Sequence, residues 1–108
     1  MNLLSKKCVP CEGGTEPLTN NQATEYLKEA PGWIISTDNS RIEREFKFKD
    51  FKESMAFVNK VADLAESEGH HPDIHVFYNR VRLELSTHAI GGLSENDFIL
   101  AAKINQVV

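Results

Sequence analysis

Residues 68–88 read EGHHPDIHVFYNRVRLELSTH, and the two alternating runs inside that stretch, Asp73 to Tyr78 and Val81 to Thr87, decide how the rest of the chain is arranged. In both runs apolar and polar side chains exchange at nearly every step, the period of a strand with one covered face. Asn79-Arg80 between them suits a tight turn, so the pair predicts a β-hairpin. Gly69 in front of it is a left-handed helix stop.

Upstream of that stop, Asp50 is placed to cap a helix in which Phe51, Met55, Val58, Ala62 and Ala65 recur at three- and four-residue spacing. Phe57, Val61 and Leu64 widen this stripe, and it is expected to face the core. Further back, Trp33–Thr37 and Arg41–Phe48 flank the turn residues Asp38-Asn39-Ser40 and predict a first hairpin. Thr19 or Asn20 can cap a first helix running to about Ala30, which Pro31-Gly32 ends because proline disfavours α geometry in the residue before it. Downstream, Ser94 followed by Asp97 looks like a capping box, opening a last helix whose Phe98, Leu100, Ala101 and Ile104 can cover a sheet. The order α-β-β-α-β-β-α predicts an α+β fold: a four-stranded, mainly antiparallel sheet with three helices packed on one face.

A chain of 108 residues with 41% apolar and 26% charged residues fits one compact domain, expected over residues 18–108. Residues 1–17 hold glycines, prolines and lysines without periodicity and are expected to form a flexible arm. The formal charge of −4 and scattered basic residues argue against direct nucleic-acid binding. No run approaches the ~20 apolar residues that span a bilayer, and the lysines of MNLLSKKC follow its short apolar run instead of preceding it. The expectation is a soluble protein without membrane contact, acting in the cytoplasm. Cys8 and Cys11, in CVPC, lack the second pair a zinc ribbon needs and run into EGGTEP instead of opening a helix, so they read as inert thiols.

Antiparallel strands joined by a tight turn bring the start of one beside the end of the other, so His70 and His71 should meet Thr87 and His88, with Glu66 one helical turn away. Imidazoles, with an unperturbed pKa of ~6.5, are the side chains best suited to giving and taking protons at neutral pH. His75 alternates within its strand and reads as a half-exposed strand residue. A metal is a weak rival, because His70 and His71 diverge in extended backbone and no HExxH-like spacing brings Glu66, Asp73 or Asp97 onto one ion. Activation of Ser86 or Thr87 as a nucleophile is disfavoured too, since neighbours along a strand face opposite sides and no glycine-flanked elbow is present.

Glu66, His70-His71-Pro72, Tyr78, His88 and Asp97, in that spacing, resemble the signature of the pterin-4a-carbinolamine dehydratases. The phrases EFKFKDFKESMAFVNKVADLAE and LSTHAIGGLSENDF and the pair Gly32-Trp33 are also similar to that family, so the resemblance covers about Leu18 to Val108. It implies dehydration of 4a-hydroxytetrahydrobiopterin, or a related carbinolamine, to the quinonoid dihydropterin, with neither a metal nor an organic cofactor. It further implies His71 and His88 as acid and base, His70 as the residue orienting the hydroxyl, and Glu66, Ser86, Thr87 and Asp97 as substrate-binding or polarising groups. Pro72 would fix the loop, and Trp33 would be core or pocket wall. Homodimers or homotetramers are the implied assemblies. Some relatives stabilise a transcription factor dimer or help assemble a large enzyme, so a protein-interaction role is the alternative reading. Replacing Cys8 and Cys11 together by serine is predicted to leave fold and turnover almost unchanged. Stoichiometric zinc in the purified protein, lost in that double mutant, would show instead that the arm holds a metal.

Overall fold

The computed structural model describes residues 2–9 and 15–108. Its regular elements are α1 (Asn20–Leu27), β1 (Ile34–Ile35), β2 (Ile42–Lys47), α2 (Phe51–Glu68), β3 (Asp73–Phe77), β4 (Arg80–Leu85) and α3 (Glu95–Asn105). The strands form one antiparallel sheet in the order β1-β2-β4-β3. This is the expected α+β architecture.

Register separates the two faces of the sheet. Ile42 pairs with Leu85 and Phe46 with Val81, and all four are buried on the helix side together with Leu83. The alternate pairs, Glu43 with Glu84 and Glu45 with Arg82, fall on the other face, as the two-residue period requires. The second hairpin turns one residue earlier than its sequence suggests: Phe77 pairs with Arg80, and Tyr78 takes the left-handed conformation at φ 50°. Strand β1 is only two residues long, although Trp33–Thr37 reads as strand. Ser36 Oγ accepts the amides of Ser40 and Arg41, and Asp38 Oδ1 accepts the Ser36 and Ser40 hydroxyls and the Ser40 amide. Side chains that satisfy the backbone locally in this way compete with the ladder and stop it. The hydroxyls of Ser40 and Ser36 hold the Asp38 carboxyl down at about 2.

Helix α2 begins at Asp50, whose carboxylate accepts the Glu53 amide at 2.9 Å, and stops at Gly69, left-handed at φ 66°. Its buried row is Ser54, Phe57, Val61 and Ala65. The expected stripe is therefore rotated. Phe51 is 50% exposed and Ala62 is exposed, because α2 carries apolar residues over more of its circumference than one thin sheet covers.

Helix α3 is enclosed on nearly every side: Asn96 to Ala102 are all buried, as is Ile104. A helix apolar all round needs neighbours all round. The sheet and α2 supply one side, α1 another, with Tyr26 stacked on Phe98 at 5.5 Å between ring centroids. The N-terminal segment supplies the rest: residues 2–9, expected as part of a flexible arm over 1–17, pack against the domain. Leu3 is fully buried in the core, Lys6 pairs with Glu95 at 2.9 Å, and Cys8 packs partly buried against the same cluster. Burial, and after it the neighbouring Glu68 carboxylate, pushes the Cys8 thiol up to about 12, so it stays protonated and unreactive at neutral pH. Cys11 lies outside the described residues. Leu3→Ala is predicted to destabilise the protein by about 2–5 kcal/mol, the range for truncating a buried leucine, read from the shift in urea midpoint. A freely moving arm would give no measurable shift.

Candidate active site

The end of α2, the hairpin ends and the start of α3 converge because Gly69 reverses the chain out of α2 and β4 runs back antiparallel beside β3. After β4, the chain closes a tight loop in which the Thr87 amide donates to Gly92 O at 2.8 Å, around a 3-10 turn over His88–Ile90. Ser94 then opens α3, and its amide donates to Asp97 Oδ2 at 2.9 Å, the capping bond that the S-x-x-D spacing promises.

Asp97 is completely buried, and its carboxylate does three things at once. Oδ2 accepts both the Ser94 amide and the Thr87 hydroxyl, the latter at 2.9 Å, while Oδ1 lies 2.6 Å from Nε2 of His70. With its proton committed to Asp97, Thr87 must accept from the Ser94 hydroxyl at 2.7 Å. The partnership fixes the ring of His70, whose side chain is 12% exposed: Nε2–H faces the carboxylate, and in the neutral ring Nδ1 carries the lone pair.

The other two histidines are arranged differently. His71 Nε2 lies 2.6 Å from Glu66 Oε2, both side chains being well exposed, so α2's last turn orients this ring from outside. His88 is exposed at the start of its turn, and its ring has no hydrogen-bond partner among the described residues. A cleft of about 290 Å³ is lined by His70, His71 and His88 together with Ser86 and Thr87. One histidine is thus anchored and two present themselves to a ligand. The expected meeting of the hairpin ends is observed.

Glu66 reaches the site through His71, and Asp97 stands behind His70 without lining the cleft. Pro72 precedes β3 but is not part of the cleft wall. Trp33, carried with the substrate-binding residues as core or pocket wall, is core and does not line the cleft. Its ring is buried and edges onto Phe46, and its Nε1 donates to Asn105 Oδ1 at 2.9 Å. Asn105 is eight residues beyond Asp97 on α3, roughly 12 Å along the helix at 1.5 Å per residue, so Trp33 clamps the far end of that helix. Val9, Ala89 and Asn96 line the cleft without having been singled out in the sequence, and Gly69, read there only as a helix stop, lines it too. Val9 and Asn96 lie 87 positions apart and signal nothing by spacing. Among the described residues no group of three His, Cys, Asp or Glu side chains is gathered as a metal ion would need.

The sequence profile described as pterin 4 alpha carbinolamine dehydratase matches residues 16–107. The chain belongs to that family. A Nitrosomonas eutropha protein provisionally named as such a dehydratase is 50% identical over 108 residues, covering 99% of this chain and 94% of its own. Pterin-4-alpha-carbinolamine dehydratase 2, mitochondrial, of Arabidopsis thaliana is 48% identical over 98% of this chain, which spans 59% of the Arabidopsis protein. The crystal structure of a Brucella melitensis protein described as a transcriptional coactivator/pterin dehydratase superimposes with a TM-score of 0.80 at 37% identity, over 85% of this chain and 98% of that one. A pterin dehydratase-like protein identified as a RuBisCO assembly factor shares the fold at a TM-score of 0.62 and 21% identity, over 73% of this chain and 92% of its own.

In this dehydratase-family chain the charge and shape of Asp97 are separable by one substitution. Asp97→Asn is predicted to keep the fold at a cost of about 1–3 kcal/mol, since one buried partner must then face a donor. If the amide oxygen stays with Ser94 and Thr87, the NH₂ group faces His70 and drives it to the other tautomer. Imidazole ¹⁵N shifts read this directly, and unchanged His70 shifts would show that Asp97 does not set the tautomer.

Proposed function

We propose that this chain dehydrates a 4a-hydroxytetrahydropterin to the quinonoid dihydropterin, with His71 and His88 exchanging protons with the substrate and His70 holding its hydroxyl. The protein is a hydro-lyase of the pterin carbinolamine dehydratase family. One observation carries the assignment of roles: three imidazoles line one cleft, and only His70 is locked by a buried carboxylate.

The chemistry needs a proton on a poor leaving group and the removal of another from the adjoining ring nitrogen. The C4a–O bond breaks, its electrons leave with the hydroxyl as water, and the nitrogen lone pair freed by deprotonation closes the C=N bond. The acid must reach the hydroxyl oxygen and the base the nitrogen beside it. His71 enters from the α2–β3 loop and His88 from the β4–α3 loop, so the two arrive from different elements. His70, with Nε2 turned to Asp97, is held in one orientation and offers its other nitrogen to the substrate hydroxyl, which fits the binding role. Glu66 orients His71, and Ser86 and Thr87 supply hydroxyls on the cleft wall.

The proposed setting is recycling of the tetrahydropterin cofactor in the cytoplasm. The Arabidopsis relative named as mitochondrial is longer than the shared domain, of which location is not an intrinsic property. Self-association into a symmetric dimer or a dimer of dimers is part of the same reading. Strand β3 pairs with β4 alone and carries Ile74 and Phe77, 36% and 42% exposed, and α2 leaves Phe51 half in water. These surfaces suit a second copy. A protein-interaction role, the alternative reading, would use such a surface as well.

Generating the carbinolamine with a hydroxylase and following quinonoid dihydropterin, with and without this protein, tests the activity. No acceleration over spontaneous dehydration would remove it. His71→Ala and His88→Ala should each lower single-turnover rates by roughly 100- to 10,000-fold. Stability should change by no more than about 0.5 kcal/mol, as for other exposed positions. Full activity in the double mutant would remove the proposed roles. Light scattering should report a dimer or tetramer, and a monomer across a wide concentration range would count against the assembly.

A further inference from the structure

Val9 lines the cleft beside His70, His71 and His88, although it precedes the family-matched domain, which begins at residue 16. Its backbone is held from both directions by one side chain: the Val9 amide donates to Asn96 Oδ1 at 3.0 Å, and Asn96 Nδ2 donates to Val9 O at 2.5 Å. The asparagine thus serves as a strand partner would. The residue before it is held as firmly. The Cys8 amide donates at 2.9 Å to Glu68, a 6%-exposed carboxylate that also pairs with Lys103 at 2.8 Å. Burial raises the Glu68 carboxyl, but the Lys103 ammonium and the Cys8 amide outweigh it, and the net shift is downward.

Asn96 and Lys103, the partner of Glu68, sit on the helix that also builds this end of the cleft. Successive residues of α3 divide the work: Glu95 pairs with Lys6, Asn96 fixes Val9, and Asp97 fixes His70. Segment and catalytic loop are therefore registered to one helical turn. What the segment presents there is apolar and uncovered, since Val9 is 63% exposed despite its pinned backbone. Val9 and Ala89 are the apolar side chains on an otherwise polar wall of imidazoles, hydroxyls and the Asn96 amide.

We propose that Val9 is a substrate-positioning residue, an apolar rim against which the flat face of the pterin ring lies while the histidines address its polar edge. A fused ring needs such a surface, because hydrogen bonds fix its edge but leave its face in water. The inference rests on the pterin reading of the cleft. It goes beyond that reading by making the segment ahead of the family domain part of the binding site.

The test is a split between binding and chemistry. Val9→Gly and Val9→Asp are expected to raise KM for the carbinolamine about five- to tenfold, the effect of uncovering one branched side chain, with kcat within about twofold. The Kd for 7,8-dihydrobiopterin, which has the ring without the 4a-hydroxyl, should rise in parallel, and Val9→Ile should restore both. If the segment is a stability strap alone, Val9→Gly will shift the urea midpoint while KM and Kd stay at wild-type values, and the proposal is overturned. A fall in kcat with unchanged Kd overturns it too. Wild-type protein that fails to accelerate dehydration yet binds 7,8-dihydrobiopterin removes the catalytic reading separately and leaves the Kd series to decide on Val9.

Discussion

The buried carboxylate of Asp97 is the constraint on which the arrangement of this protein turns. Placed in the apolar interior without partners it would be prohibitively expensive, so every group around it is a donor or is positioned by one. Its partners come from three elements: the Ser94 amide that begins α3, the Thr87 hydroxyl that ends β4, and the His70 ring that follows α2. One side chain thereby joins a helix cap, the exit of a strand and the loop that follows α2. Loss of any one of these partners leaves the carboxylate partly unsatisfied, which is why the loops at this end of the sheet have little freedom to drift apart.

The opposite end of α3 is secured by the same kind of device. Asn105 Oδ1 accepts from Trp33 and from Arg44 at 2.9 and 2.6 Å, while its Nδ2 donates to Pro31 O. Arg44 lies over the Phe46 ring and fills the space beside Gly32, where a Cβ would meet the guanidinium at 2.8 Å. The helix is therefore pinned by polar networks at both ends and enclosed by apolar contact along its length. A rigid α3 fixes the position of everything its first turn holds, including Val9 and His70.

The division of labour proposed for the histidines rests on exposure. His70 is enclosed and immobilised, whereas His71 and His88 stand at the surface of the cleft, where rings can respond to a bound ligand. Orienting His71 from the well-exposed Glu66 is a weaker restraint than the buried bond to His70, since a pair in water is screened and its side chains remain free to rotate. The cleft combines one fixed imidazole with two adaptable ones.

The sequence by itself determined the element order, the hairpins, the caps at Asp50 and Ser94, the stop at Gly69 and the convergence of His70, His71 and His88. All of these rest on local rules: side-chain period, turn chemistry and the antiparallel return of a hairpin act over a few residues and leave a readable pattern. Even the errors of that reading are local, as in β1, where Ser36 and Asp38 captured the amides a longer strand would have used. Tertiary structure alone decided which face of α2 is buried, that Trp33 clamps the far end of α3, and that residues 2–9 complete the core and reach the cleft. A helix with apolar residues on several sides does not say which side meets the sheet, and the contacts of Val9 with Asn96 or Leu3 with Glu29 join positions whose separations obey no period. Such pairings are chosen by the space left when the layers have packed, and that space exists only once the chain has folded.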